Sequence, residues 1–372
     1  MNKIKVVIFI NNILNQDRNS FTIGGVQTYL EELAKNLVHS GNYSCEIIQF
    51  SDSEFQVEVQ SIKVIGTGKT DKKGVRGYIA SNYDRASTIV IYGTDKFAFK
   101  LPNYVTINIQ HGIAYDIEAF EGKRKIFNNL LLIPIYKFLQ RFNARRIASI
   151  GDILCCVDYN YYNWIKTYGS HNENRISVIP NFSRVTNEEV PRNKRVIIAR
   201  RFVERRGIGL IARVIDKYLA GGGTLEFTFA GDGEDKHIIE DLRDKYPGNI
   251  SITRFHQTES QSVHSNFSFA LVPSLGSEGT SLSLLEAMSV GCVVVASHVG
   301  GITNILVNEY NGFLIKPDES SYLDSLNYLE SISDKDFKVI SENAKSTVEL
   351  GFSIKKWSRN WVELVKSAEK KL

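Results

Sequence analysis

Two glutamates, Glu278 and Glu286, flank a run of Gly, Thr, Ser and Leu in PSLGSEGTSLSLLEAMSVGCVVVAS, residues 273–297. FALVPS reads as a strand ending near Ser274, SLGSEGTS as a Gly/Ser loop, and LSLLEAMSV as a helix closed by Gly291 in the C-cap role. Glu278 then sits on a loop at the carboxyl end of a strand, and Glu286 in the first turns of the helix. The amides of Gly279, Thr280, Ser281 and Leu282 lie at a helix N-terminus, where donors have no intrahelical partner and an anion can sit. A phosphate on those amides, with carboxylates beside it, would present an attached sugar's hydroxyls to Glu278. Glu286 has a second reading, because Ser283-Leu284-Leu285-Glu286 fits a capping box in which the glutamate caps its own helix.

Cations stand nearby in the pattern. ARRFVERRG (199–207) packs Arg200, Arg201, Arg205 and Arg206 into seven residues, and four arginines so close repel one another unless an anion compensates. His111-Gly112 closes the strand-like VTINIQ, which places the imidazole on the rim of a cleft between domains; a structural histidine fits as well. Gly24-Gly25 precede a helix starting near Val26, so bare backbone there could approach a diphosphate or an acceptor, although a simple loop turn explains the pair equally. Gly231-Asp232-Gly233 lacks the third glycine of a dinucleotide fingerprint, and no such motif follows the first strand, which disfavours a dehydrogenase. DYNYYNW (158–164) reads as helix packing rather than a stacking platform.

These residues need strands to hold them. KVVIFI, CEIIQF, TIVIYG, VTINIQ, ILCCV and ISVIP are β-rich runs, and RVIIA, LEFTFAG, ISITRF, FALVPS, CVVVAS and GFLI continue the series, each alternating with helix-length segments. Such alternation predicts an α/β protein with parallel sheets covered on both faces, and ligands at the carboxyl ends of the strands. The polar segment 179–195, with Pro180 and Pro191, separates a first series from a second that restarts at Val196, so 372 residues form two Rossmann-like domains. The four cysteines suit neither a disulfide framework nor a zinc site and read as buried small hydrophobes. The opening apolar run is about six residues long, a strand rather than a signal peptide, and no stretch approaches the ~18 apolar residues of a membrane span. A cytoplasmic protein is expected.

The spacing of Glu278 and Glu286 in SEGTSLSLLEAMSVGCVVVAS, followed by Gly300-Gly301 and NGFLIKP, resembles the retaining GT-B glycosyltransferases of family 4. GGVQTYLEELAKNL, IQHG, VIPN, ARRFVERRG and FAGDGED lie in the same order across nearly the whole chain. The resemblance implies a GT-B fold: two Rossmann-like domains facing a central cleft, divided as 1–183, 184–352 and a C-terminal helix, 353–372, crossing back to the first domain. It also implies retaining transfer of a hexose-type sugar from a UDP- or GDP-sugar to a glycan or lipid-linked saccharide acceptor, in cell-surface polysaccharide assembly. Glu278 would bind the donor sugar's hydroxyls, Glu286 the ribose, residues 279–282 the sugar and β-phosphate, and His111 would face the donor sugar. Arg201 takes the place of the family's first diphosphate-binding cation, and Arg206 stands where lysine is usual, which keeps the charge but turns a compact ammonium into a planar fork. After Gly300-Gly301 the family's proline and glutamate are replaced by Thr303 and Asn304, which puts that contact in doubt. No metal and no cofactor are expected, the nucleotide-sugar being a substrate. Two other readings stay open: a nucleotide-sugar epimerase of the same architecture, and a non-catalytic sugar-nucleotide-binding subunit.

Net charge is +4, unevenly spread. Seven basic residues against one acid lie between Arg192 and Arg206, and seven against one between Glu121 and Arg146, the latter over the apolar IFNNLLLIPIY. Lys123, Arg124 and Lys125 with that apolar run suit peripheral contact with an anionic membrane. The alternative is that Leu130 to Ile135 packs into the first domain's core, with Pro134 interrupting any long helix.

Overall fold

The computed structural model describes residues 3–22, 24–112, 129–167, 175–186, 190–276 and 278–372. The chain forms two compact units, Met1–Tyr115 with Phe138–Pro180 and Lys355–Leu372, and Asp116–Lys137 with Asn181–Ile354.

The first unit follows the order β1 (Ile4–Ile10), α1 (Gly25–His39), β2 (Tyr43–Gln49), β3 (Glu54–Val59), β4 (Ile62–Thr67), α2 (Lys72–Asn82), β5 (Thr88–Tyr92), β6 (Val105–Gln110), α3 (Leu132–Ala148, which belongs to this unit from Phe138 onward), β7 (Ile153–Cys156), α4 (Tyr159–Lys166) and β8 (Ile176–Val178). Its sheet has the order β3-β4-β2-β1-β5-β6-β7-β8. Val6 to Phe9 and Ile89 to Tyr92 have no exposed surface, as central parallel strands covered on both faces require. The order reverses between β1 and β5, so the loops after these two strands border a switch point.

Expectation and structure part company at the edge of this sheet. β3 and β4 form an antiparallel hairpin, where parallel strands alone were expected. β3 alternates exposed and half-buried residues, and its turn uses Gln60 and Ser61 at φ 51° and 64°, without the Asn-Gly signal that marks such turns in sequence. Pro134 does not prevent a long helix either: it lies in the first turn of the 17-residue α3, where a missing N–H costs nothing. Cys155, Cys156 and Cys292 are buried and Cys45 half-buried, all as free thiols.

The second unit comprises β9 (Arg195–Ala199), α5 (Ile208–Ala220), β10 (Glu226–Ala230), α6 (Lys236–Lys245), β11 (Ile250–Thr253), α7 (Ser260–His264), β12 (Phe269–Val272), α8 (Leu282–Val290), β13 (Val293–Ser297), β14 (Phe313–Ile315), α9 (Glu319–Ser331) and α10 (Asp334–Gly351). Its sheet is parallel throughout, in the order β11-β10-β9-β12-β13-β14, the doubly wound order with its switch point between β9 and β12. α5 turns eight buried side chains, among them Ile208, Ile211 and Ile215, onto one core, which explains its placement against the sheet.

The last helix, α11 (Ile354–Glu369), belongs over most of its length to the first unit. It packs on α1: the Trp361 indole N–H donates to the Tyr29 hydroxyl at 2.7 Å, and the Asn36 amide donates to the Ser358 carbonyl at 3.0 Å. Trp361 has no exposed surface. Trp361→Ala therefore empties a large buried site and removes one hydrogen bond to the Tyr29 hydroxyl, and it should lower stability by about 3–5 kcal/mol, read as a fall in the urea midpoint. An unchanged midpoint would mean that α11 is not docked as described.

Candidate active site

β9 and β12 flank the second unit's switch point, and the chain leaving each supplies the charged groups. Arg200 follows β9 directly, is 7% exposed, and aims its guanidinium at the loop after β12. Its Nη2 donates to Glu278 Oε2 at 3.0 Å and to Ser274 Oγ at 2.6 Å; its Nη1 donates to Ser283 Oγ at 2.9 Å and to Ser281 Oγ at 3.2 Å. Ser274 Oγ in turn donates to Glu278 Oε2 at 2.8 Å. Arg206 Nη1 makes a second ion pair with the same oxygen. Glu278 is 5% exposed, so its charge is taken out of water and held by two cations and a hydroxyl. Burial lowers Arg200 to about 10, which leaves it a cation at neutral pH.

Backbone shape makes this convergence possible. Gly207 adopts φ 76°, and a Cβ there would overlap the Pro273 carbonyl, so the turn carrying Arg206 lies against the end of β12. A Cβ on Gly301 would stand 2.6 Å from the Gly279 carbonyl, and the Gly301 amide donates to the Glu278 carbonyl at 2.7 Å. Asn181 donates its side-chain amide to the Thr280 carbonyl. The stretch 278–281 is thereby fixed ahead of α8, which starts at Leu282 with Ser281 as N-cap and ends at Gly291 with φ 97°.

The candidates fall unevenly. Glu278 and Arg206 are brought together, with Gly279, Thr280, Ser281 and Leu282 at the N-terminus of α8 beside them. Glu286 lies one turn into α8, 8% exposed, with its charge facing the buried His264. The capping-box reading of Glu286 fails: the N-cap is Ser281 rather than Ser283, and no side chain caps the helix. Arg201 is exposed and the ion pairs to Glu278 come from Arg200 and Arg206. Arg200 and Ser274 are the members that sequence reasoning passed over. Inside a run of four arginines nothing in residue type tells the buried one from its neighbours; only the first position after β9 does.

The other candidates belong to the first unit. Gly24 caps α1 with no side-chain bond and Gly25 is the helix's first residue. His111 follows β6, is half-buried, and its Nε2 lies 2.9 Å from the Gly93 carbonyl. A carbonyl only accepts, so Nε2 carries the proton and Nδ1 the lone pair in the neutral ring. Burial pushes the imidazole down to about 4, against the opposing effect of the Gly93 carbonyl. Its ring meets Tyr29 of α1 edge-on at 4.9 Å, and Tyr29 meets Trp357 at 5.0 Å. Gln110, just before His111, is fully buried with neither amide atom hydrogen-bonded.

Residues 193–330 match the family model of Glycosyl transferases group 1. The chain is 29% identical over 131 residues to the glycogen synthase of Pseudomonas aeruginosa, which is 35% of this chain and 25% of that protein. It is 28% identical over 211 residues to the phosphatidylinositol N-acetylglucosaminyltransferase gpi3 subunit of Schizosaccharomyces pombe, 54% of this chain and 43% of the relative. The chain thus spans from a quarter to under half of these relatives. Among solved structures, sucrose-phosphate synthase from Thermosynechococcus elongatus superposes with a TM-score of 0.77 at 14% identity, covering 100% of both chains. Anabaena HepE, in complex with UDP and glucose, superposes with a TM-score of 0.72 at 14% identity over 98% of this chain and 100% of its own. TarM gives 0.71 at 13%, over 98% and 99%. The chain has the GT-B fold.

Two outcomes follow from the geometry. Arg200→Ala removes one cation from a buried carboxylate and should cost about 3–5 kcal/mol, whereas Arg201→Ala, on an exposed side chain, should stay within about 0.5 kcal/mol; equal urea midpoints for the two variants would contradict this arrangement. For His111 the unfolded value near 6.5 exceeds the folded value of about 4, so the unfolded chain binds more protons between them. Its contribution is complete above pH 6.5 and is lost as the pH falls towards 4. Denaturation at a series of pH values should show His111→Asn losing about 2 kcal/mol less than wild type across that window.

Proposed function

We propose that this protein is a retaining glycosyltransferase that moves a hexose-type sugar from a UDP- or GDP-sugar to a glycan or lipid-linked saccharide acceptor. The observation that carries this reading is the buried Glu278–Arg200–Arg206 cluster, set at the switch point of the second unit beside the N-terminus of α8. The match of residues 193–330 to Glycosyl transferases group 1 covers that same cluster, and HepE is a structural neighbour in complex with UDP and glucose.

In this reading the donor's diphosphate meets the amides of residues 279–282 and the cations of Arg201 and Arg206. Departure of the sugar leaves negative charge on the β-phosphate, and donors fixed before the reaction stabilise that charge without reorganising. The exposure of Arg201 suits this role, since its charge is not spent on an internal carboxylate. Arg200 acts differently: it is a positioning residue that pairs with Glu278 and holds it in place. The named bonds to Glu278 all fall on Oε2, so Oε1 is the oxygen assigned to a sugar hydroxyl. Glu286, deeper in α8, takes the ribose. On the first unit, neutral His111 offers Nδ1 as an acceptor to a hydroxyl, and Gly24 and Gly25 bring the bare start of α1 to a phosphate or acceptor. The arginines supply the charge that a metal ion supplies in other transferases, so no metal is invoked.

Incubation with a panel of UDP-, GDP- and ADP-sugars, following slow hydrolysis and the anomer first released, tests the reading. Release of the sugar with its anomeric configuration kept is expected, and it should persist in EDTA. Isomerised nucleotide-sugar without release would favour an epimerase, and binding without turnover a non-catalytic subunit. Arg201→Ala and Arg206→Ala should each lower turnover by on the order of 10²-fold, with Arg206→Lys mild. Glu278→Gln should be far more damaging than Glu286→Gln, because only the first touches the reacting sugar. Wild-type turnover in both alanine variants would remove the diphosphate assignment.

A further inference from the structure

α3 is amphipathic the wrong way round for a core helix. Ile135, Phe138, Leu139 and Phe142 recur at the i, i+3, i+4, i+7 spacing of one helix face, and Leu131 stands in the turn just before the helix. That face looks outward: Leu131 is 81% exposed, Ile135 57%, Phe138 68% and Phe142 59%. The buried residues of the helix are instead the small Ala144 and Ala148. The expectation that this apolar run packs into a core therefore fails. Lys123, Arg124 and Lys125, which also entered that comparison, lie outside the described residues.

The sheet beneath supplies a physical reason. β6 presents Thr106, Asn108 and Gln110 on one face and Val105, Ile107 and Ile109 on the other. Asn108 Nδ2 donates to the Ile147 carbonyl of α3 at 3.2 Å, so the polar face lies towards the helix. Ala144 and Ala148 are the buried side chains of the helix, and their small size lets α3 lie close enough to the strand for that bond.

Charge decides what covers the outward face. Between residues 129 and 148 there is no acidic residue; Arg145 and Arg146 continue the face of Phe138 and Phe142, while Lys137 and Arg141 lie on the side of Ala144 and Ala148. A second copy of the same face would set two cations against two. No helix of the described residues is long and apolar enough to cross a membrane. We propose that the outward face of α3 docks in the plane of an anionic lipid bilayer. The Leu and Phe side chains enter the boundary between headgroups and acyl chains, and Arg145 and Arg146, at i+3 and i+4 from Phe142 on the same face, meet lipid phosphates. Phe138 and Phe142, stacked with ring centroids 6.3 Å apart, form the part that inserts. This inference does not rest on the donor chemistry, so either can fail alone.

Co-sedimentation of the full chain with vesicles of phosphatidylcholine alone, and of phosphatidylcholine with phosphatidylglycerol, tests it. Binding to the anionic vesicles only is expected, weakened by added salt. Phe138→Ser with Phe142→Ser should abolish it, and Arg145→Gln with Arg146→Gln should lower the partition coefficient by roughly tenfold or more. Circular dichroism and the urea midpoint of each variant check that it folds, and the charge variant carries the test if the serine variant does not. Failure to bind anionic vesicles overturns the proposal, as does equal binding to neutral vesicles that ignores the charge variant. A dimer in light scattering that Phe138→Ser dissolves, without vesicle binding, would assign the face to a second copy.

Discussion

The second unit depends on one buried electrostatic arrangement, the carboxylate of Glu278 held between Arg200 and Arg206. An ionised carboxylate removed from water costs several kcal/mol unless it is paired and hydrogen-bonded. That requirement couples distant parts of the chain. Arg200 must leave β9 at the level where Ser274 leaves β12; Gly207 must let the Arg206 turn close on Pro273; Gly301 must pass against Gly279. Each of these is a backbone condition, and the ion pairs form only where all are met. The doubly wound order supplies the frame, because it makes β9 and β12 neighbours and sends their following chains apart, opening room for the cluster at the switch point.

Within the cluster the division of labour follows from exposure. Arg200 is enclosed and has four side-chain oxygens around its guanidinium, so its hydrogen-bonding capacity is largely used by the protein itself. Arg201, one residue on, is exposed. Adjacent residues leaving a strand point to opposite sides, and that alternation turns a uniform basic run into one positioning arginine and one available for an anion.

The first unit uses polarity inside its sheet in a different manner. His111 is held neutral by burial and fixed in one tautomer by the Gly93 carbonyl, so it is an acceptor at Nδ1 rather than a cation. The same strand carries Thr106, Asn108 and Gln110 towards the covering helix α3, whose buried residues are Ala144 and Ala148. One strand thus positions His111 at its end and holds α3 through Asn108.

Much of the architecture was legible in the residues alone. Apolar runs such as VTINIQ and RVIIA coincide with β6 and β9, and Gly291 closes α8, because strand period and the left-handed C-cap are local properties. The loop position of Glu278 and the free amides ahead of α8 follow from the same local logic. The hairpin of β3 and β4 was not legible, since half-exposed edge strands and a Gln-Ser turn carry no distinctive signal. The choice of Arg200 over Arg201, the tautomer of His111 and the outward face of α3 were likewise outside its reach. Each depends on what a side chain meets across the fold: a carboxylate from another strand, a carbonyl from another loop, a polar floor beneath a helix. Composition and spacing determine which groups are available and how each segment curls; which groups share a buried space is decided by strand order and close backbone approach, and no single segment contains that information.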